Sequence, residues 1–325
     1  MSEIRFDGRV ALVTGAGRGM GRSHAMLLAQ RGAKVIVNDI GVMMDGRDGG
    51  ENPADAVVRE IADAGGTAIS DYNDVSSETG VAKMVQAAID AFGRLDIVVH
   101  NAGVVTFIPF GEMTYQQYRQ VVGVHTDGGF LLAKAAWPHM VSQGYGRFIF
   151  ITSQAALSGI TNLVHYGVAK TALTGLARSL ALEGAEHGIV TNALGVTAYT
   201  RMMEGLFEPT DANRSDVYDS NDAKNWWAHY MRPELTSAAV AWLASDCCTI
   251  NGQTLDTGGG VVAQQQLMMT QGYAKVDLTP EDVRDNVAVI LDGAPGRNNF
   301  KSGIEFLDWQ LDRVSAGGAP RPPKI

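Results

Sequence analysis

The sequence predicts an α/β fold: a doubly wound parallel sheet with helices on both faces, built as a single domain. Three observations carry that expectation. Short continuous apolar runs recur from residue 9 to about 195, stretches with helical spacing separate them, and the first run ends in a cluster of glycines. Strands buried on both faces read as unbroken apolar runs, and the helices between them return the chain to the starting edge of the sheet.

The elements follow in order. Val10-Ala-Leu-Val-Thr14 is the first strand. Met20, Ala25, Leu28 and Ala29 then recur with helical spacing over 20–32, ending at Gly32. Lys34–Asn38 is the second strand, and the helix over 54–64 closes at Gly65-Gly66. Thr67–Ser70 is the third strand, followed by a helix over 77–92. Leu95–Val99, Arg147–Ile151, Val190–Ala193 and Gln253–Asp256 complete the strands. Two segments break the alternation: residues 201–233 are polar and aromatic-rich, and residues 261–325 run into Pro- and Gly-rich sequence. We therefore expect one domain over 1–260, a substrate-covering segment at 201–233, and a C-terminal extension over 261–325 with a mobile last ten residues.

Composition narrows the partners. The 325 residues hold 26 Lys plus Arg against 35 Asp plus Glu, a formal charge of −9. That balance argues against nucleic acid and anionic membrane surfaces, which need clustered basic residues. No apolar run approaches the roughly 18 residues of a membrane span. Cys247 and Cys248 are adjacent, so a bridge between them would be strained; a reducing, cytoplasmic location is expected. The seven histidines lack metal-ligand spacing, and no metal is expected.

The glycine cluster is Thr14-Gly-Ala-Gly-Arg-Gly-Met-Gly21, between the first strand and the first helix. Small residues allow a sharp turn and let backbone N–H groups approach a pyrophosphate at a helix N-terminus. Gly15, Arg18, Gly19, Met20 and Gly21 are thus candidate cofactor-binding residues of a Rossmann-type site. Asp39 ends the second strand, where a carboxylate accepts hydrogen bonds from ribose hydroxyls and repels a 2′-phosphate. It argues for NAD over NADP, whereas the Arg18 guanidinium argues the other way.

Tyr166 and Lys170 lie four apart, hence on one helical face. The spacing alone is weak; Ser153, just past the fifth strand at the ligand-binding edge of the sheet, strengthens it. A tyrosine is a poor base at neutral pH until nearby positive charge favours the phenolate. Ser153 would hold a substrate oxygen against Tyr166, and Lys170 would hold the ribose and the charge. The chemistry is interconversion of a secondary alcohol and its ketone. A non-catalytic NAD-binding protein and a nucleotide-sugar epimerase are the competing readings. Thr197 and Thr200, after the sixth strand, are candidates to touch the carboxamide.

With these residues in their order, and Asn101-Ala-Gly103 after the fourth strand, the chain resembles the short-chain dehydrogenase/reductase family over roughly residues 7–260. Within it, Val37-Asn-Asp-Ile-Gly41, Ala135-Ala-Trp-Pro-His-Met140 and Arg232-Pro-Glu-Leu235 are similar to the (3R)-hydroxyacyl-CoA dehydrogenase units of peroxisomal multifunctional enzymes and their bacterial relatives. The resemblance implies that Asp74 and Val75 flank the adenine, that Asn101, Ala102 and Gly103 support the cofactor cleft, and that the chain forms a homodimer or homotetramer. It also implies a 3-hydroxyacyl-CoA substrate. Four departures stand out. His125 occupies the position of a catalytic Asn in the wider family, making it a candidate relay residue. His100 replaces the first Asn of Asn-Asn-Ala-Gly, Val196 stands where a Pro is usual, and the segment from Arg201 to Arg232 is longer. Phe207, Tyr218, Trp226, Trp227 and Tyr230 suit that segment to a bulky apolar alcohol or ketone, such as a hydroxysteroid. Its four basic and six acidic residues, net −2, count against CoA.

Overall fold

The computed structural model describes residues 3–41, 52–203, 221–292, 305, 309, 310, 312 and 313. An eight-stranded sheet organises the chain in the order β3-β2-β1-β4-β5-β6-β7-β8. The strands are β1 (Val10–Thr14), β2 (Lys34–Asn38), β3 (Thr67–Asp71), β4 (Ile97–His100), β5 (Gly146–Thr152), β6 (Ile189–Val196), β7 (Thr254–Gly258) and β8 (Val261–Gln265). The first seven pair in parallel, and β8 runs antiparallel to β7. All seven strands read from the sequence are present.

The buried residues of β1 show why these runs are continuous. Ala11 and Val13 join the apolar cluster on one face, with Phe6, Leu28 and Val240, whereas Val10 and Leu12 join the other, with Met84, Phe148 and Leu173. Alternate side chains supply opposite faces, so a strand covered on both sides has no polar position. The helices α1 (Gly19–Gln30), α2 (Pro53–Asp63), α3 (Glu78–Phe92), α4 (Tyr115–Val122), α5 (Gly128–Gln143), α6 (Ala155–Ser158) and α7 (Val164–Gly184) intervene, and a helix over Glu234–Ala244 precedes β7. Between α4 and α5 the chain makes a π-helical turn, Gly123–Asp127.

The strand order reverses between β1 and β4, and ligands of such sheets bind in the crevice beyond the carboxyl ends of the strands at that point. Thr14 and His100 end the two strands there.

One expectation needs correction. Val261–Gln265, assigned to the extension, is an edge strand of the sheet. Val261 and Val262 are mostly exposed, so β8 carries none of the buried apolar pattern that marks the other strands. The chain divides into two compact units, Met1–Gln265 and Gln266–Ile325. The second has internal bonds of its own: the Thr270 hydroxyl donates to Ile290 O at 2.7 Å, and Thr279 and Asp282 form a reciprocal cap on the helix Pro280–Asp285. The last ten residues lie outside the described residues. Among the described residues, no helix is long and apolar enough to cross a membrane, and no cluster of His, Cys, Asp or Glu has the makings of a metal site.

Candidate active site

The glycine turn crosses the end of β1 and enters α1. Gly15 has a left-handed φ of +61°, and a Cβ there would stand 2.8 Å from Ala102 Cα; one on Gly21 would stand 2.2 Å from Gly15 O. Only hydrogen fits at either position, so glycine allows the turn, α1 and the Asn101-Ala-Gly103 segment to close together. Asn101 fastens that junction, its amide donating to Thr14 O at 2.9 Å and Gly15 O at 3.1 Å. Its Oδ1 is buried without a partner, an acceptor left over at the floor of the cleft.

Asp39 braces the same turn. Its carboxylate accepts from the Gly17 N–H at 3.0 Å and the Gly41 N–H at 2.9 Å. A carboxylate has about four acceptor positions, so ribose hydroxyls still find free lone pairs. The cleft above is lined by Gly15, Arg18, Gly19, Met20, Gly21, Asp39, Asp74, Val75, Asn101, Ala102, Gly103, His125, Tyr166, Lys170 and Thr200. Of the residues expected at the cofactor, only Thr197 is missing from that lining. Its backbone N–H pairs with Thr257 O at 2.9 Å, making it a continuation of the sheet. A crowded glycine turn, a helix N-terminus, an acid at the ribose position and a spare buried acceptor together fit a dinucleotide.

Helix α7 carries the catalytic candidates. Lys170 is buried, and its Nζ donates to Ile151 O at 2.7 Å. Nζ also lies 5.4 Å from the centroid of the Tyr166 ring. Ser153 Oγ accepts the Ala155 N–H at 3.2 Å, and the serine lies close enough to the Tyr166 phenol to favour its ionised form. Burial pushes the phenol up to about 12, against the opposing influence of Ser153. Burial pushes Lys170 down to about 7. The protein has thus placed an acid and a base where neither charged form is comfortable, and a charge arriving in the cleft changes both.

His125 sits in the π-helical turn, buried, with its ring edge-on to Tyr166 at a centroid distance of 5.3 Å. Its Nε2 lies 2.9 Å from Val104 O and 3.2 Å from the Val104 N–H, so the ring either donates to that carbonyl or accepts from that amide, according to its tautomer. Nδ1 is buried with no partner. Burial, with Lys170 nearby, holds the ring well below the usual histidine range. The structure brings His125 to Tyr166 by packing, and no hydrogen bond joins the two rings.

Sequence reasoning did not single out Val104, Val105, Val124, Ile151, Thr152, Arg201 or Met202, which also line the cleft. The first two follow Asn101-Ala-Gly103 directly, and the apolar pair was the available signal. In the covering segment, residues 204–220 lie outside the described residues, Phe207 and Tyr218 among them. Trp226, Trp227 and Tyr230 pack against one another on the helix Asn221–Tyr230, with Trp226 and Tyr230 half exposed. None of the three is among the cleft-lining residues.

A family model described as short chain dehydrogenase matches residues 9–211. A protein of Mycobacterium tuberculosis named as a short-chain type dehydrogenase/reductase is 39% identical over 286 residues, covering 87% of this chain and 94% of that one. The peroxisomal multifunctional enzyme type 2 of Drosophila melanogaster is 38% identical over 270 residues, which are 83% of this chain but only 42% of the enzyme. The structure of that full-length enzyme superposes with a TM-score of 0.75 at 30% identity, covering 96% of this chain and 50% of it. A short chain dehydrogenase from Mycobacterium avium superposes at 0.72 with 30% identity, covering 90% of this chain and 98% of its own. The chain therefore spans nearly all of the mycobacterial relatives and about half or less of the Drosophila multifunctional enzyme.

Proposed function

The chain belongs to the short chain dehydrogenase family and is an oxidoreductase acting on a CH–OH group, and from that premise we propose that it interconverts a 3-hydroxyacyl-CoA and its ketone with NAD. The observation that carries the proposal is Tyr166 lining the cleft with Ser153 acting on its phenol and Lys170 buried one helical turn away.

When bound, a nicotinamide cofactor supplies the hydride acceptor or donor. Arg18 and the first-turn N–H groups of α1 would hold its pyrophosphate, Asp39 its adenosine ribose, Asp74 and Val75 its adenine. The Ser153 hydroxyl orients the substrate oxygen toward Tyr166. The Tyr166 hydroxyl takes the proton from the alcohol in oxidation and returns it to the carbonyl oxygen in reduction. Lys170 favours the phenolate by its charge, and the phenolate in turn restores the ammonium that burial opposes. Val104, Val105 and Val124 present an apolar wall that keeps water from the reacting atoms.

NAD over NADP rests on Asp39, whose carboxylate would face a 2′-phosphate. The acyl-CoA rests on the multifunctional-enzyme relatives and on Arg18 and Arg201 as cations of the cleft. A second reading, a hydroxysteroid or other bulky cyclic alcohol, is favoured by the net −2 of residues 201–232. We also propose a homodimer or homotetramer through α5 and α7, where Phe130 and Leu182 are more than half exposed. A cytoplasmic location completes the proposal, although several relatives bear peroxisomal names. The test is an NADH-absorbance screen of 3-hydroxyacyl-CoAs, hydroxysteroids and cyclic alcohols with NAD and with NADP. Fastest turnover of a hydroxyacyl-CoA with NAD supports the first reading. Faster steroid oxidation moves the assignment to the second, and cofactor binding without turnover of any alcohol overturns both.

A further inference from the structure

His100 and His125 are two separate departures from the wider family pattern, 25 positions apart, and the fold joins them. His100 ends β4 and is 1% exposed. Its Nε2 lies 2.8 Å from the backbone carbonyl of His125. A carbonyl cannot donate, so Nε2 carries the ring proton and Nδ1 is the bare acceptor. Nδ1 faces the Thr14 hydroxyl at 3.4 Å. That hydroxyl already accepts the N–H groups of Asn101 at 3.1 Å and Ala102 at 3.0 Å, so its own proton is free for Nδ1. One neutral imidazole thus connects the ends of β1 and β4 to the π-helical turn. Burial, reinforced by the nearby Lys170 charge, pushes it down to about 4, which keeps it neutral at ordinary pH.

The space for the ring is built in. A Cβ on Gly128 would stand 3.4 Å from His100 Cε1, and one on Gly129 would stand 3.2 Å from His100 Cδ2. Two consecutive glycines in the first turn of α5 therefore leave a slot that the imidazole occupies, with Phe150 edge-on to it at 6.3 Å. At the other end, the π-helical turn departs from the regular i→i−4 pattern: the Gly128 N–H bonds back to Gly123 O and His125 O. His100 adds a second, side-chain donor to His125 O, which already accepts the Gly128 N–H within the turn. That bond sets the backbone from which the His125 ring stands edge-on to Tyr166 and reaches Val104 O. If the turn relaxed to a regular α-helix, the side chain at 125 would rotate by roughly one residue step, about 100°.

We propose that His100 is a positioning residue of the oxidoreductase site: its Nε2–H, donated to the His125 carbonyl, holds the π-helical turn that sets the His125 ring against Tyr166. The inference rests on the oxidoreductase reading above, and active wild-type protein is its precondition.

Reach separates positioning from simple packing. In His100→Gln the amide nitrogen replaces Nε2 at nearly the same distance from the backbone. In His100→Asn it ends one bond short, although that residue is usual at this place in the wider family and should fold. We expect His100→Gln to keep kcat within about threefold, and His100→Asn to lower kcat about 10- to 100-fold with KM for the alcohol and NADH affinity unchanged. The acid limb of the Asn variant's pH–rate profile should move down by about half a unit, as water reaches a Tyr166 no longer covered by His125. His100→Leu, with no donor, should behave like the Asn variant if it folds. Equal kcat in the Gln and Asn variants overturns the proposal. So does a parallel loss of kcat, KM and NADH affinity, which would mark His100 as general scaffold. Wild-type protein without turnover of any alcohol would instead be a failure of the oxidoreductase reading itself.

Discussion

The two halves of the sheet solve different problems with different materials. On the β1–β2–β3 side the cleft is made of backbone: a glycine turn, the N-terminus of α1, and one carboxylate that braces the turn through two N–H groups. On the β4–β5–β6 side it is made of buried ionisable side chains, His125 and Lys170 among them, with Tyr166 packed against His125 and His100 buried against the His125 backbone. The first half needs space and gains its polarity from groups that are always present. The second stores groups in their less charged forms, which costs stability and makes that half sensitive to pH.

The largest test of this contrast is acid. On the β4–β5–β6 side, His100 is held at about 4 and His125 well below the usual range. Each folded-state pKa is below its unfolded value of about 6.5, so the unfolded chain takes up protons that the native one refuses. Stability from these groups is complete above pH 6.5 and is lost as pH falls below it. Each contributes up to about 1.4 kcal/mol per pH unit, about 3 kcal/mol per unit together. Thermal denaturation from pH 7.5 to 4 should show Tm falling steeply below 6.5; a flat profile would contradict buried neutral imidazoles.

A smaller effect probes the other half. Gly21→Ala forces a Cβ toward Gly15 O, and overpacking of this kind costs about 1–3 kcal/mol. NADH titration should show affinity reduced by about tenfold or more, with no change in the pH dependence of what turnover remains. If the acid limb moved as well, the two halves would not be separable.

The smallest effect has the opposite sign. Lys170 is lowered to about 7 from its unfolded value, so burial of its charge opposes folding below pH 7 and the opposition fades as pH rises toward 10. Lys170→Met should abolish turnover yet raise Tm by a few degrees at pH 6, less the lost bond to Ile151 O. A fall in Tm at pH 6 would show that the bond outweighs the buried charge.

The backbone half was the more legible in the sequence. Gly15, Gly21 and Asp39 are recognisable because turn geometry and strand position restrict the residue type, and Val10–Thr14 because burial on both faces excludes polar residues. Tyr166, Lys170 and Ser153 were legible through spacing relative to β5. The π-helical turn was not, since Gly123–Asp127 carries no local signal and its widening is stabilised by His100 from another strand. β8 was missed because its valines face solvent, and only the backbone shows Thr197 continuing the ladder to Thr257.

The central claim is that Tyr166 moves the proton for a hydride transfer in this cleft. The direct measurement is NADH formation at 340 nm from NAD and the best alcohol substrate by wild-type protein and by Tyr166→Phe, with NADH binding measured in parallel. The account predicts turnover by the wild type, a loss of about 10³-fold or more in the variant, and NADH affinity within about threefold. Full turnover by Tyr166→Phe with NADH bound would contradict it.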